Sequence, residues 1–228
     1  MGIRRGSIST PIIADGLVFN MDVANRASYV PYATQAFDTI DSSISGSLAN
    51  NTSYDPAYNG YWNFDGTDDY ILVAPDSSGP LHDIGTGDFT VSCWAWKSGA
   101  SGYRWMIGAW SNTGLLFGRS STGKFACYLG DANENQSTFT IPTFGWNHYT
   151  ITRLGGVLSM YANANSVFTP TTRAGSLSAA TEFRIGDRGD TVAVQDWLGY
   201  ISNIHIYNRA LSANEVLHNY NALKGRFA

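Results

Sequence analysis

Residues 89–96 have the sequence Phe-Thr-Val-Ser-Cys-Trp-Ala-Trp, in which side chains of one character recur at every second position. In an extended chain one face carries Phe89, Val91, Cys93 and Ala95, and the other carries Thr90, Ser92, Trp94 and Trp96. A period of two is the pattern of a β-strand in a sheet with two distinct faces. The stretch therefore predicts a strand with one face in a core and an aromatic surface, covered or exposed, on the other.

Strand-like runs of the same kind continue on both sides of this stretch, with turn residues between them. They lie at residues 17–21, 62–64, 70–73, 104–109, 114–118, 124–129, 137–141, 147–153, 157–161, 182–185 and 199–207. Residues 22–60 are rich in Ser, Asn, Asp, Tyr and Pro, and they predict long loops with one short strand. About a dozen short strands without helices between them favour an all-β sandwich.

The segment after residue 210 changes to a helical pattern. Ser212 and Glu215 have the spacing of a capping box, and Leu211 and Val216 occupy the positions of a hydrophobic staple. Gly225 is suited to end the helix. The stripe expected to be buried contains Val216, Leu217, Tyr220 and Leu223.

The composition of the 228 residues fits a single domain with a large core, because 43% are hydrophobic and only 14% are charged. We predict an N-terminal arm at residues 1–16 and one domain at residues 17–228. A net charge of −4 without a basic cluster argues against nucleic-acid binding. No apolar run is long enough to span a membrane, and the N-terminus lacks the apolar core of a signal peptide. Synthesis in a cytoplasm and use without export are therefore expected.

The two cysteines, Cys93 and Cys127, both lie in apolar, strand-like runs. One disulfide between them is conceivable. In a chain without an export signal, two buried free thiols are the favoured prediction.

Several motifs together resemble one protein superfamily. They are residues 15–22 (Asp-Gly-Leu-Val-Phe-Asn-Met-Asp), 64–71 (Phe-Asp-Gly-Thr-Asp-Asp-Tyr-Ile), 89–94, 145–149 (Gly-Trp-Asn-His-Tyr), 184–187 (Arg-Ile-Gly-Asp), 199–212 and 215–227. The chain resembles the laminin-G-like, concanavalin-A-like lectin/glucanase superfamily, and more narrowly the single-domain members found in virion proteins of bacteriophages, notably those of marine cyanobacteria. The resemblance implies an all-β, two-sheet antiparallel jelly-roll sandwich with one short C-terminal helix. Residues 30–60 depart from it, because they lack the family's usual tryptophan-led segment.

The superfamily includes glycoside hydrolases, so the resemblance alone does not decide whether the chain is catalytic. The Glu-x-Asp-x-x-Glu strand of retaining glucanases of this fold is missing, as are Gly-x-Ser-x-Gly and His-Glu-x-x-His. Glycoside hydrolysis requires two carboxylates about 5–10 Å apart. Asp131 and Glu134 lie close in sequence, but they fall in a polar loop, which favours a solvated turn over a catalytic pair. We expect a protein that is not an enzyme.

Many laminin-G-like and lectin domains hold calcium, so the resemblance raises the question of a calcium site, which requires several hard oxygen ligands. The loop Asp65-Gly-Thr-Asp-Asp69 is the densest source of oxygens in the sequence. The candidate calcium ligands are Asp22, Asp65, Asp69 and Asp196. The competing interpretation is structural, because Asp-Gly is a turn sequence and aspartates often accept hydrogen bonds from nearby backbone N–H groups.

A sugar site needs an aromatic platform with polar groups around it. The candidate carbohydrate-binding residues are Tyr103, Arg104, Trp105, Trp110 and Tyr128. In a sandwich so rich in aromatics, burial in the core or in a subunit contact is the alternative role for each of them.

Two functions remain from the sequence. The first is a non-catalytic bacteriophage virion structural protein (a capsid decoration, fibre or tail-associated component), assembled in the host cytoplasm and bound to other virion proteins and to itself as a homo-oligomer. Its anchoring residues would be Arg4, Arg5, Ile12 and Ile13. The second is a carbohydrate-binding adhesin that recognises host surface glycans. Neither requires nucleic acid or a membrane.

Overall fold

The computed structural model describes residues 11–74, 84–99, 101–110, 113–130, 133–177, 182–190 and 195–228. In chain order the strands are β1 (Leu17–Asp22), β2 (Gln35–Phe37), β3 (Ser45–Ala49), β4 (Ser53–Asp55), β5 (Tyr61–Asp65), β6 (Tyr70–Ala74), β7 (Phe89–Lys97), β8 (Arg104–Ala109), β9 (Leu115–Arg119), β10 (Lys124–Leu129), β11 (Glu134–Thr140), β12 (Trp146–Leu154), β13 (Val157–Ala162), β14 (Asn165–Ser166), β15 (Thr171–Thr172), β16 (Phe183–Ile185) and β17 (Leu198–Tyr207). The helix α1 (Ala213–Leu223) follows, and 3₁₀ turns lie at Ala57–Asn59 and Lys224–Arg226.

These strands form two antiparallel sheets that pack face to face. The first sheet has the order β14-β13-β12-β7-β17-β5-β4, with β1 also paired to β17 and β15 to β13. The second sheet has the order β11-β10-β9-β8-β16-β6-β3-β2. The predicted all-β, two-sheet antiparallel sandwich is confirmed.

The core lies between the sheets and is supplied by alternate residues of each strand. In β7 the predicted inward set of Phe89, Val91, Cys93 and Ala95 is at most 1% exposed. On the outer face of the same strand, Trp94 is covered by α1 and the residues after it, whereas Trp96 is half-buried. Both cysteines are buried, and no disulfide joins Cys93 to Cys127.

The second sheet shows the same alternation in β9 and β10. Phe117 and Cys127 point into the core, and Leu116 and Tyr128 lie on the outer face, where the two are paired across the strands. In β8 a register shift falls between Trp105 and Ile107. Trp105 is outside the core cluster, so it joins the outer face of this sheet.

The capping box of α1 is confirmed. The side-chain oxygen of Ser212 accepts the backbone N–H of Glu215 at 3.3 Å, and the Glu215 carboxylate accepts the backbone N–H of Ser212 at 2.8 Å. These two bonds satisfy N–H groups that a helix start leaves without partners. Among the described residues, no helix is long and apolar enough to span a bilayer.

The buried stripe of α1 differs in part from the prediction. Val216 is 1% exposed, but Leu217 is 45% exposed, so its predicted burial was wrong. The buried polar residue of the helix is Asn219, which accepts the backbone N–H of Ile13 at 2.8 Å and donates to the Tyr207 hydroxyl at 2.9 Å. The helix thus joins the sheet partly through polar contacts, which an apolar periodicity does not reveal.

Residues 22–60 hold more structure than the sequence predicts. Three strands, β2, β3 and β4, replace the single short strand expected. They are three to five residues long, and β2 and β4 end the two sheets. Strands this short contain too few residues for a clear period, because their pairing depends on partners elsewhere in the chain.

Candidate functional site

A pocket opens on the outer face of the second sheet and encloses about 140 Å³. Its walls are formed by Tyr103, Trp105, Trp110, Leu116, Tyr128, Arg188 and Gln195. Four of these, Tyr103, Trp105, Trp110 and Tyr128, are predicted carbohydrate-binding residues. We call this site the aromatic pocket.

The rings of the aromatic pocket are in mutual contact. Tyr103 stacks on Trp105 with ring centroids 5.7 Å apart and planes at 18°. Tyr128 meets both tryptophans edge-on, at 5.6 Å from Trp105 and 5.5 Å from Trp110. Trp105 is only 1% exposed, so the ring faces available to a ligand belong to Tyr103, Trp110 and Tyr128, which are half-buried.

A glycine allows the polar side of the aromatic pocket to form. Tyr128 pairs with Leu116, and Leu116 pairs with Gly108 of β8. A Cβ atom on Gly108 would lie 2.1 Å from the carbonyl oxygen of Arg188. The chain after β16 can therefore lie directly over Gly108, and this places Arg188 at the pocket.

Hydrogen-bonding groups surround the rings. The indole N–H of Trp105 donates to the Gln195 side-chain oxygen at 2.8 Å, and Arg188 Nη1 approaches the same oxygen at 3.4 Å. The Arg188 guanidinium lies 5.4 Å from the Trp110 ring centroid and pairs with Asp190 at 3.0 Å. An arginine over an indole is a cation–π contact, which holds both groups in place.

The tyrosines supply hydroxyl groups to the same site. Burial, and then the hydrogen bond with Tyr103, raises the pKa of Tyr128. The Tyr128 hydroxyl therefore remains protonated at neutral pH, and it can donate as well as accept hydrogen bonds.

Arg104, the fifth predicted carbohydrate-binding residue, is not part of the aromatic pocket. It is 9% exposed, and its Nη1 lies 3.4 Å from the Gly66 carbonyl oxygen and 3.3 Å from that of Asp196. Arg188 and Gln195, in turn, were not predicted. They come from segments more than 50 residues away from the aromatic run, so no local spacing connects them with it.

The acidic loop after β5 brings Asp65 and Asp69 together with Asp68, with one oxygen of each within 4.8 Å of the others. The same carboxylates hold the turn, because Asp69 accepts the N–H groups of Asp65 at 3.0 Å and Asn51 at 2.8 Å, and Asp65 accepts that of Thr67 at 2.8 Å. Burial raises the pKa of Asp69. Calcium takes about six to eight oxygens, so these three carboxylates fit part of its shell, and calcium binding stays a prediction.

Asp22 lies away from this loop. Its two carboxylate oxygens accept hydrogen bonds from Nη1 of Arg226 at 3.0 and 2.8 Å, which ties the C-terminal 3₁₀ turn to the first sheet. Asp22 pairs with Asn203 of β17, whereas Asp65 pairs with Leu198. Five residues of one strand, or about 16 Å, separate the two positions.

Asp196 lies beside Asp187, and both are 5% exposed. Burial, and then the neighbouring Asp187, raises the pKa of Asp196 to about 7. Asp187 pairs with Arg184 at 2.5 Å and accepts the N–H of Gly189 at 3.0 Å. The two acids connect the segments that carry Arg188 and Gln195, and the structure does not bring Asp196 together with Asp65 and Asp69 in one cluster.

The predicted anchoring residues are only partly described. Arg4 and Arg5 lie outside the described residues. Ile12 is half-buried, and Ile13 packs on the chain's own small cluster of Tyr207, Leu211 and Val216. The Tyr207 hydroxyl also donates to the Ile13 carbonyl oxygen at 3.0 Å. Ile13 thus contacts the domain itself, and an anchoring role for this arm stays a prediction.

An antiparallel two-sheet sandwich of this kind is an architecture that lectin domains share with viral capsid domains. A family model described as the concanavalin A-like lectin/glucanases superfamily matches residues 65–217, which are 153 of the 228 residues. The chain belongs to this superfamily, as its motifs predict. A comparison with curated protein sequences gives no match.

Solved structures with the same fold come from several kinds of protein. Domain 4 of AbnA, an extracellular GH43 arabinanase of Geobacillus stearothermophilus, in complex with arabinotriose, is 15% identical with a TM-score of 0.68, over 90% of this chain and 98% of that one. The binding domain of Paraclostridial Mosquitocidal Protein 1 is 15% identical with a TM-score of 0.71, over 91% and 52%. A Trypanosoma rangeli sialidase in complex with 2,3-difluoro-KDN is 16% identical with a TM-score of 0.72, over 94% and 34%. This chain thus spans about half of the toxin domain and a third of the sialidase. At these identities the likeness shows the fold alone.

Proposed function

We propose that this chain is a non-catalytic carbohydrate-binding protein that holds one sugar residue in the aromatic pocket. The observation that carries the proposal is the convergence of three accessible rings with Arg188 and Gln195 on one sheet face. The volume of about 140 Å³ is below the ~300–1,000 Å³ typical of sites for drug-sized ligands. A single ring therefore fits better than an extended chain.

The chemistry of the aromatic pocket matches a sugar ring. One side of a pyranose or furanose presents C–H groups, which pack on an aromatic face, and its edge presents hydroxyl groups that both donate and accept. Trp110 and Tyr103 supply the faces, and Arg188, Gln195 and the Tyr128 hydroxyl supply partners for the edge. The structure of AbnA domain 4 in complex with arabinotriose shows that a domain of this fold can carry such a ligand.

The polar groups around the aromatic pocket suit binding better than hydrolysis. Among the side chains that line its described part, none is a carboxylate, and hydrolysis of a glycosidic bond requires two. Asp190, which follows Arg188 closely, is paired with it at 3.0 Å. We therefore expect the protein to release no reducing sugar from any glycan that it binds.

A role in a bacteriophage virion rests on the sequence resemblance alone and is proposed as the setting of this activity. A capsid decoration, fibre or tail-associated protein is present in many copies. Many weak single-sugar sites on one particle would act together through avidity. The two functions predicted from the sequence are therefore compatible, and antibody labelling of purified particles would test the virion assignment.

The test of sugar binding is a glycan array followed by calorimetry with the best ligand. Trp110→Ala removes an accessible ring, and we expect a loss of affinity of about 10-fold to 100-fold, which corresponds to about 1.5–3 kcal/mol for one large side chain. Trp110 is preferable to the fully buried Trp105, whose removal would leave a core-sized cavity. The control is Phe144→Ala, which truncates an aromatic that is 65% exposed and does not line the pocket. A flat array, or equal losses in both variants, contradicts the proposal.

A further inference from the structure

Hydrogen-bond donors outnumber acceptors among the side chains that line the aromatic pocket. The Gln195 side-chain oxygen already accepts from the Trp105 indole N–H at 2.8 Å, and Arg188 Nη1 lies 3.4 Å from the same oxygen. A carbonyl oxygen has two lone pairs, so these two donors leave it little capacity for a ligand. The bond from Trp105 also fixes which end of the Gln195 amide is the oxygen. The end that remains for a ligand is therefore the NH₂ group, which only donates.

Three donor groups of the pocket have no acceptor within the part of the chain that the structure describes. They are the Gln195 NH₂ group, Arg188 Nη2 and the Trp110 indole N–H. The fully buried polar atoms without a partner include Arg188 Nε but none of these three groups, so all three keep accessible surface. Because their residues line the pocket, a bound sugar can reach them.

The acceptors that remain in the described lining are the hydroxyl oxygens of Tyr103 and Tyr128. The two hydroxyl groups are hydrogen-bonded to each other, which uses one of their two protons and leaves lone pairs on both oxygens. An ordinary sugar hydroxyl both donates and accepts, and in this lining its proton meets few acceptors. A substituent that mainly accepts hydrogen bonds is the better match, because a donor left without a partner is costly.

The charges around the aromatic pocket distinguish an anionic acceptor from a neutral one. Arg188 is the one cationic side chain of the described lining, and Asp190 lies 3.0 Å from its Nε. Glu134 pairs with Tyr128 on the adjoining strand. Two carboxylates near a single guanidinium leave no net positive charge for a ligand carboxylate, and the chain as a whole carries a charge of −4. A neutral carbonyl oxygen is therefore favoured.

We propose that the aromatic pocket selects a neutral sugar that carries an acetamido group. This inference rests on the proposed function, because it names the class of sugar that the same pocket holds. The acetyl carbonyl oxygen accepts from the Gln195 NH₂ group or from Arg188 Nη2. The acetamido N–H donates to a tyrosine hydroxyl oxygen, and the methyl group packs on the Trp110 ring. A hydroxyl group at the same carbon supplies no methyl group and adds a donor where donors are already in excess.

The test is a titration of the ¹⁵N-labelled full chain, observed through the Trp110 indole N–H signal, which Trp110→Phe assigns. The ligands are glucose, galactose and mannose, each compared with its acetamido derivative, and glucuronate as the anionic sugar. We expect at least one acetamido sugar to bind about 10-fold more tightly than its parent, which corresponds to about 1.4 kcal/mol. Glucuronate should bind no more tightly than glucose.

Gln195→Glu is the most direct variant, because it replaces only the NH₂ group and keeps the oxygen that accepts from Trp105. The preference for the acetamido sugar over its parent should fall at least several-fold. Arg188→Lys keeps the positive charge and removes Nη2, and the same loss is expected there if Gln195→Glu does not fold. The control is Gln35→Glu, which adds the same charge at an exposed position of the edge strand β2 and should leave the preference unchanged.

Three results would overturn the inference and leave the proposed function intact. The first is equal affinity for the two sugars of every pair. The second is tighter binding of glucuronate than of any acetamido sugar, which would mean that the pocket prefers an anion. The third is a preference that survives in both Gln195→Glu and Arg188→Lys. If no sugar of the set moves the Trp110 signal and the glycan array is flat, the proposed function itself fails, and the inference fails with it.

Discussion

Gly108→Ala is expected to damage the aromatic pocket without removing any group that lines it. The added Cβ atom would lie 2.1 Å from the Arg188 carbonyl oxygen and 2.3 Å from that of Asp187. Ordinary contact begins near 3.4 Å, so the backbone after β16 must retreat by about 1.3 Å. Both opposing atoms belong to the backbone, so no side-chain rotation can relieve the clash.

The displacement should lower both stability and sugar affinity. Overpacking of this kind costs about 1–3 kcal/mol, which for a chain of this size lowers the melting temperature by about 2–10 °C. The displaced backbone moves Arg188 away from Trp110 and Gln195. The guanidinium lies 5.4 Å from the Trp110 ring centroid and its Nη1 lies 3.4 Å from the Gln195 side-chain oxygen, so a shift of this size weakens both contacts. We expect a loss of sugar affinity of about 10-fold, since contacts of this kind are each worth about 1 kcal/mol.

Differential scanning calorimetry and isothermal titration with the best array ligand measure the two effects. The matched control is Gly175→Ala, because a Cβ atom there would meet its nearest neighbour at 3.7 Å. The control should change the melting temperature by no more than about 2 °C, the range expected for a neutral surface substitution. If Gly108→Ala keeps the affinity and the melting temperature of the parent, the close approach of Arg188 to β8 is wrong, and so is our account of how the pocket is built.

Three further predictions concern the rest of the molecule. Asp196→Asn should stabilise the protein more at pH 8 than at pH 5, by about 1–3 kcal/mol. The pKa of Asp196 in the folded protein is raised to about 7, so the parent protein loses stability as the pH rises from the pKa of an aspartate in the unfolded chain towards 7. Equal differences in urea midpoint between variant and parent at the two pH values would contradict this. Ser212→Ala should cost about 1 kcal/mol in urea denaturation, and Ser212→Asp, which can also cap, should restore most of it; an unchanged midpoint for the alanine variant would mean that the capping box contributes nothing. Arg153→Met should cost about 3 kcal/mol or more, because the fully buried guanidinium donates four hydrogen bonds to the carbonyl oxygens of Gly85, Gly87 and Gly175; a cost below that of Ser212→Ala would show that the desolvation of the cation cancels those bonds.

The elements that the sequence predicts well are those whose determinants lie within the element. The alternation in β7 and the capping box of α1 are local, and both are confirmed at the level of single residues. The strands β2 to β4 were missed because their stability depends on pairing with strands elsewhere rather than on their own few side chains. Leu217 was misplaced for a related reason, since the contact of α1 with Ile13 and Tyr207 runs through Asn219, which an apolar count passes over.

The candidate site shows the same division. The structure brings Tyr103, Trp105 and Trp110, from the aromatic run of β8 and its neighbours, together in one pocket, and their role in carbohydrate binding stays a prediction. The two-residue period of the strand also indicates that Arg104 lies outside the aromatic pocket, because a residue adjacent to Trp105 points to the opposite face of the sheet. Arg188 and Gln195 needed the tertiary fold. The absence of a side chain at Gly108 lets the backbone of Arg188 lie over β8, and the backbone oxygen of Gln195 accepts the N–H of Trp105 at 3.0 Å.

The four aspartates predicted as calcium ligands have different partners in the structure. Asp22, Asp65, Asp69 and Asp196 were grouped because oxygen-rich side chains near matched motifs resemble a calcium shell, yet in the structure they belong to three different local arrangements. Asp22 holds Arg226, Asp69 holds the turn after β5, and Asp196 shares a buried position with Asp187. An aspartate in a β-sandwich has backbone N–H groups and arginines within reach at almost every turn, and these partners do not depend on an ion. Sequence spacing therefore distinguishes a metal site from a turn only when it also identifies the residues that supply the remaining ligands. In this chain the spacing identifies only the cluster of residues 65–69.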